Sequence, residues 1–130
     1  MEVIKKLITE AMNIAKKNKL TDQCTVGEVS SVLITDKNNI YTGLSINASC
    51  GLGFCAEHSA IASMITKGES RIKKIVAVHY DGKILPPCGK CRELMIEVND
   101  NNKDTEIIMD KERIVKLDKL LPQRWQERFK

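Results

Sequence analysis

Cys55, Glu57, Cys88 and Cys91 are the residues whose types and spacing could do chemistry in this sequence. Cys55 and Glu57 lie in Phe54-Cys55-Ala56-Glu57, and the other two cysteines in Pro87-Cys88-Gly89-Lys90-Cys91. Both segments read as helix starts, where unpaired backbone N–H groups and the positive dipole end lower a thiol's pKa and favour metal ligation. Cysteines three apart share one face of a helical turn and can reach the same ion. Three protein ligands would leave the fourth position of a tetrahedral zinc open to water, which separates a catalytic site from a closed structural one.

Glu57 turns a metal site into an enzyme hypothesis because it heads the stripe Glu57, Ala60, Ile61, Met64 and Ile65. A carboxylate leading an apolar face is desolvated, which raises its pKa toward the range where it can take and return protons. Alternatives stand beside this reading. An isolated Glu in a first helical turn is usually there for the dipole. A lone Cys-x-x-Cys is half of a structural zinc site or a redox pair, and Cys50 or Cys24 could complete a closed four-cysteine cluster. Cys50, however, lies only five residues before Cys55, and neither extra cysteine belongs to a Cys-x-x-Cys pair.

The elements that must hold these residues follow from periodicity. Val3, Ile4, Leu7, Ile8, Ala11, Ile14 and Ala15 fall at helical spacing over residues 3–15. Val29–Thr35 and Ile40–Ile46 are β-prone runs around the turn formers Asp36-Lys37-Asn38-Asn39 and read as a hairpin. Residues 55–67 look helical, with Gly68 as a stop. Ile72 to Val78 reads as a buried strand. Pro86 and Pro87 lead into a second helix over Cys88–Val98, followed by short strands at Thr105–Met109 and Arg113–Leu117. The order α, β, β, α, β, α, β, β predicts an α/β layered domain, a sheet covered by helices on its faces.

At 130 residues and 42% hydrophobic content, one domain spanning 1–130 is expected. No apolar stretch approaches the ~20 residues that cross a bilayer. The first residues carry no signal-peptide pattern, and five cysteines make an odd number, so a reduced, cytoplasmic protein is expected. A net charge of +4 spread along the chain and 4% aromatics argue against a nucleic-acid surface.

Cys55-Ala56-Glu57, 29 intervening residues, then Pro87-Cys88-Gly89-Lys90-Cys91-Arg92-Glu93 resembles the zinc-dependent cytidine deaminase family. Weaker matches are Val26-Gly27, Tyr41-Thr42-Gly43 and Leu120-Leu121-Pro122. The resemblance implies a three-layer α/β/α fold with a central mixed sheet of about five strands. It implies one zinc per subunit on Cys55, Cys88 and Cys91, with Glu57 moving protons while water activated at the metal attacks C4 of a cytosine. It assigns Asn47 and Ala56 to substrate binding, and Arg92 and His58 to the surroundings of the thiolates. Three thiolates on Zn²⁺ form a net negative centre that calls for a nearby cation, for which Arg92 is the candidate. It also implies a homotetramer with active sites at subunit contacts, a small nucleoside as substrate, and neither nucleic acid nor membrane as partner.

This chain departs from the family pattern on the substrate side. Where nucleoside deaminases carry Asn-x-Glu-Asn to hold ribose, Leu44-Ser45-Ile46-Asn47 leaves only Asn47 with a counterpart. Cys24 replaces a Phe near the pyrimidine, and His58 replaces an Arg after the catalytic Glu. His58 can equally be a solvated or locally bonded helix residue. Blasticidin S deaminases share the Pro-Cys-Gly-x-Cys-Arg segment and also lack the ribose motif, so a cytosine nucleoside with a charged appendage is the alternative substrate. The segment 124–130, with Trp125 and Phe129, could touch such an appendage or pack at a subunit interface. A non-catalytic zinc-stabilised binding domain is the alternative of another class, and deamination of nucleic acid a weaker option.

Overall fold

The computed structural model describes residues 1–129. Helix α1 (Glu2–Ile14) precedes strands β1 (Asn18–Thr21), β2 (Cys24–Thr35) and β3 (Ile40–Ala48). Helix α2 (Ala56–Thr66), strands β4 (Ile72–His79) and β5 (Ile84–Leu85), and helix α3 (Gly89–Val98) follow. Strands β6 (Glu106–Ile108) and β7 (Ile114–Lys116) and the one-turn α4 (Leu117–Leu120) complete the regular elements.

The five strands expected from the sequence lie in the order β3-β2-β4-β6-β7, and all pairs are antiparallel except β4 with β6. The sheet is therefore mixed, and it has seven strands, because β1 adds to β2 and β5 to β4. Neither addition had a pattern to read. All four β1 residues are exposed, so no alternation marks them, and β5 is two residues long.

Period-two alternation sorts the sheet's side chains into two layers. Val32, Ile34, Val76, Val78 and Ile108 meet Ile4, Leu7, Ile8 and Ala11 of α1 on one face. Leu33, Ile75 and Ile107 meet Ala60, Ile61 and Met64 of α2 and Cys91, Met95 and Ile96 of α3 on the other. The result is a three-layer α/β/α arrangement. Two residues of the expected apolar stripes turn outward: Val3 is 40% and Ile65 45% exposed, each at the margin of its helix's buried face.

The hairpin is longer than its apolar runs because β2 contains a bulge. Pairing with β3 shifts register between Val26 and Ser30, where Gly27 adopts a positive φ of 80° and Val29 N–H donates to Ser45 Oγ at 3.0 Å. A Cβ on Gly27 would lie 2.2 Å from the carbonyl oxygen of Lys16. The polar, glycine-containing bulge interrupts the pattern, and the strand resumes beyond it.

Two close fits position the helices that carry the candidate site. A Cβ on Gly43 of β3 would lie 2.3 Å from Ala60 N and 2.7 Å from Ala56 O, so only glycine lets α2 lie this near the sheet. Fully buried Asn102 anchors α3: its amide donates to Met95 O at 2.8 Å and Ser70 O at 3.0 Å, and its oxygen accepts from Ile72 N at 2.8 Å. One side chain thus ties α3 to the start of β4.

Gly43→Ala is expected to lower stability by about 1–3 kcal/mol, the range for overpacking a close interface. It should also reduce bound zinc, since α2 must shift. Urea denaturation and elemental analysis measure both effects.

Candidate metal centre and active site

Cys55 and Cys88 occupy equivalent places, each the residue preceding the first turn of its helix with extended backbone (φ −70°, ψ 156° and φ −69°, ψ 167°). Cys91 lies in the first turn of α3. The chain order α2-β4-β5-α3 returns α3 to the same face of the sheet as α2, so the two helix starts meet. Cys55 Sγ lies 3.5 Å from Cys88 Sγ, which is 3.6 Å from Cys91 Sγ, and all three sulfurs fall within 4.8 Å of one another. Sulfurs bound tetrahedrally at about 2.3 Å from one zinc lie roughly 3.8 Å apart. The three thiols fit one zinc ion. They are the one group of three or more Cys, His, Asp or Glu with metal-binding spacing among the described residues.

Cys24 and Cys50 stand outside this group. Cys24 opens β2, and exposed Cys50 sits on a tight turn with φ 60°. The closed four-cysteine reading therefore lacks its fourth thiol.

Burial pushes the Cys55 thiol up, with the hydrogen bond to Cys88 adding to the effect. Burial likewise pushes buried Cys91 up strongly, and the nearby Glu57 charge pushes the same way. For Cys88, burial also raises the pKa, but hydrogen bonds from the Cys91 backbone N–H and from the neighbouring thiols reverse it, so the net shift is downward. Cys88 is the thiol readiest to ionise. Full thiolate character at the other two requires a cation, which is what a metal supplies.

Glu57, in the first turn of α2, is only 5% exposed. It borders a small void shared with Ala77, Leu85, Pro87 and Met95. That apolar lining desolvates the carboxyl and raises its pKa. Glu57 also lines a larger cleft of about 560 Å³ with Cys55, Cys88, Ala56 and Asn47. One cavity thus gathers the protonatable carboxyl, two of the three thiols and both expected substrate contacts.

Arg92 hydrogen-bonds to two backbone carbonyls. Its Nε donates to Pro87 O at 2.8 Å and a terminal nitrogen donates to Leu120 O at 3.1 Å. The guanidinium braces the turn before Cys88 and is committed to carbonyls rather than to a thiol. The positive ends of α2 and α3 point at the thiols, and Lys90 lines the same cleft. His58 stacks on Phe54 at 4.6 Å, and its buried Nδ1 has no hydrogen-bond partner among the described residues.

The tail lies away from this cleft. Gln126 donates to Glu93 and Glu97 of α3 at 2.8 and 2.7 Å, and Trp125 packs edge-on against Phe129. None of residues 124–129 lines the cleft, and Lys130 lies outside the described residues. Glu28 does line it, unforeseen from the sequence; its place after Val26-Gly27 was the one signal pointing to it.

A mixed sheet with two helix starts converging on three thiols defines a metal-site α/β protein. Residues 1–104 match the model of the cytidine and deoxycytidylate deaminase zinc-binding region, and the chain belongs to that family. Its cofactor is Zn²⁺. The cytidine deaminase of Mycobacterium tuberculosis is 31% identical over 70 residues, 53% of each chain. That of Mycoplasma genitalium is 39% identical over 67 residues, 50% of this chain and 52% of its own. The chain's match spans about half the length of these curated relatives. The crystal structure of cytidine deaminase from Mycobacterium tuberculosis has a TM-score of 0.75 at 25% identity, over 93% of this chain and 95% of that one. The Mycobacterium leprae enzyme gives 0.74 at 27%, over 92% and 97%.

Cys88→Ser is expected to lose most of the bound zinc, because two thiolates leave the ion under-coordinated. Elemental analysis of the purified variant measures this, and full metal content would contradict the ligand set.

Proposed function

We propose that this chain, as one domain over residues 1–130, hydrolytically deaminates the cytosine base of a free nucleoside, cytidine or deoxycytidine. The products are uridine or deoxyuridine and ammonia. The observation that carries this reading is the buried Glu57 carboxyl on the wall of the cleft that also holds Cys55 and Cys88.

In this reading Cys55, Cys88 and Cys91 hold one zinc per subunit. When bound, zinc supplies the Lewis acidity that makes water a nucleophile at neutral pH. Glu57 would carry both protons of the attacking water in turn, the first to the ring nitrogen and the second, given up as the C4 hydroxyl becomes a carbonyl, to the leaving amine. Its desolvated setting supports the role, because burial raises the carboxyl from its ordinary range and so favours its taking up a proton. Asn47 and the first-turn backbone at Ala56 face the substrate, both lining the cleft. Arg92 holds the Cys88 turn, and His58, on Phe54, supports the start of α2.

A second substrate reading, a cytosine nucleoside with a charged appendage such as blasticidin S, draws support from the lack of a ribose-binding Glu in β3 and from the Glu28 carboxylate on the cleft wall. Ammonia release from cytidine, deoxycytidine and blasticidin S separates the two; activity on the last alone would replace the leading substrate.

The assembly we propose is a homotetramer, supported by exposed Leu52, Trp125 and Phe129 (71%, 58% and 71%). A cytoplasmic setting is supported by five unpaired cysteines. No helix among the described residues is long and apolar enough to cross a membrane. The modest net charge of +4 and the acidic residues Glu28 and Glu57 in the cleft favour a small substrate over nucleic acid.

Glu57→Gln is expected to keep zinc and fold while lowering kcat for deamination more than about a hundredfold, the scale of a lost proton carrier. Ammonia release and elemental analysis on the same sample test it. Retained activity would sink the mechanism, and a zinc-loaded wild-type protein inactive on every cytosine nucleoside would favour a purely zinc-stabilised binding domain.

A further inference from the structure

Glu28 is a charged residue of the cleft that the proposed reaction does not use. Among the lining side chains, Glu57 and Lys90 belong to the helix starts at the metal end, whereas Glu28 comes from β2 on another wall. Glu28 is held from several sides. Its Oε2 accepts from Asn47 Nδ2 at 2.8 Å, and its Oε1 lies 3.5 Å from His79 Nε2. His79 Nδ1 in turn faces Asp81 Oδ1 at 3.0 Å. The backbone carbonyl of Glu28 accepts from Tyr80 N at 2.8 Å.

The bulge in β2 is what aims this side chain. Residues 27–29 stand outside regular pairing with β3, Gly27 supplies the positive φ, and the Val29 N–H freed by the shift is satisfied by Ser45 Oγ. Bulges commonly redirect a side chain beside a site. Here the redirected group is a carboxylate whose side chain stays 35% exposed.

Such a group sorts ligands by the charge of the end that reaches it. A carboxylate has about four lone-pair sites, so contacts to Asn47 and His79 leave capacity for a ligand's donors. Hydroxyls or a cationic nitrogen supply donors. A phosphate supplies none at neutral pH and brings like charge into a partly desolvated cleft. We propose that Glu28, held by Asn47, determines specificity for the end of the substrate remote from the base. It selects unphosphorylated cytosine nucleosides bearing hydroxyl or amine donors and rejects nucleotides. This inference rests on the deamination reading for its substrate class.

Zinc-loaded wild type and Glu28→Gln are to be compared on cytidine, CMP and blasticidin S by ammonia release, and on uridine and UMP by calorimetry. In wild type, cytidine should exceed CMP in kcat/KM by at least about tenfold, the worth of one hydrogen bond to a charged group. In Glu28→Gln that ratio should fall about tenfold through KM, with kcat for cytidine within about twofold. A larger loss on blasticidin S than on cytidine would identify a cationic donor, and an equal loss hydroxyl donors; both support the subsite. Glu28→Ala replaces the first variant if its zinc content or melting temperature falls. An unchanged cytidine-to-CMP ratio, or an unchanged uridine-to-UMP ratio, would overturn the proposal. If no substrate is deaminated but the preference for uridine over UMP disappears in Glu28→Gln, the deamination reading fails and the subsite stands.

Discussion

The meeting of two helix starts at one point is the constraint on which the remainder of this molecule depends. Cys55 and Cys88 sit where Ser, Thr or Asp would ordinarily cap a helix, and neither makes a side-chain capping bond. Two positive helix ends brought together call for negative charge between them. Thiolates supply it, yet burial disfavours the ionised form of Cys55 and Cys91. Bound zinc would give each thiolate a partner of opposite sign, and metal binding and the docking of α2 against α3 would then stabilise one another. The close seat of α2 on Gly43 and the anchoring of α3 through Asn102 are what hold that point in place.

The same packing creates the setting for Glu57. The apolar residues that close the core beneath the helix starts, Ala77, Leu85 and Met95 among them, also surround its carboxyl. Replacing one of them by a polar group would add a hydrogen-bond partner and return the carboxyl toward its ordinary range. The buried carboxyl and the three clustered thiols are therefore products of one layer, positioned by the packing of α2 and α3 on the sheet.

Residues that work through periodicity or local chemistry are legible in the amino-acid sequence. The faces of α1 and α2, strands β2, β3, β4, β6 and β7 and the thiol cluster follow from spacing, because helical and extended backbones repeat at fixed intervals. Residues that work through long-range geometry are not. Arg92 follows Cys91 directly, which makes it look like the charge partner of the thiolates, yet its reach is set by Leu120, 28 residues away in sequence. Glu28 looks like one more surface acid until the β2 bulge turns it toward Asn47, 19 residues on. Strands β1 and β5 leave no trace in the sequence pattern because pairing defines them while their burial pattern and length do not.

The departures from the family pattern at Cys24 and Leu44–Ile46 lie in the β2–β3 hairpin, while His58 lies in the first turn of α2. Strand β3 is an edge strand, bonded along its length to β2 alone and touching the loop before α2 through a single bridge between Ile46 and Phe54. Leu44 and Ile46 can differ there without disturbing the convergence of α2 and α3, whose tight contact with β3 is at Gly43. The three thiols and Glu57 are thus carried by helix starts, where a small shift would separate the sulfurs. The opposite part of the cleft wall, with Glu28 and Asn47, is carried by a bulged hairpin at the edge of the sheet. A fold divided this way can vary its cleft wall without moving the three thiols.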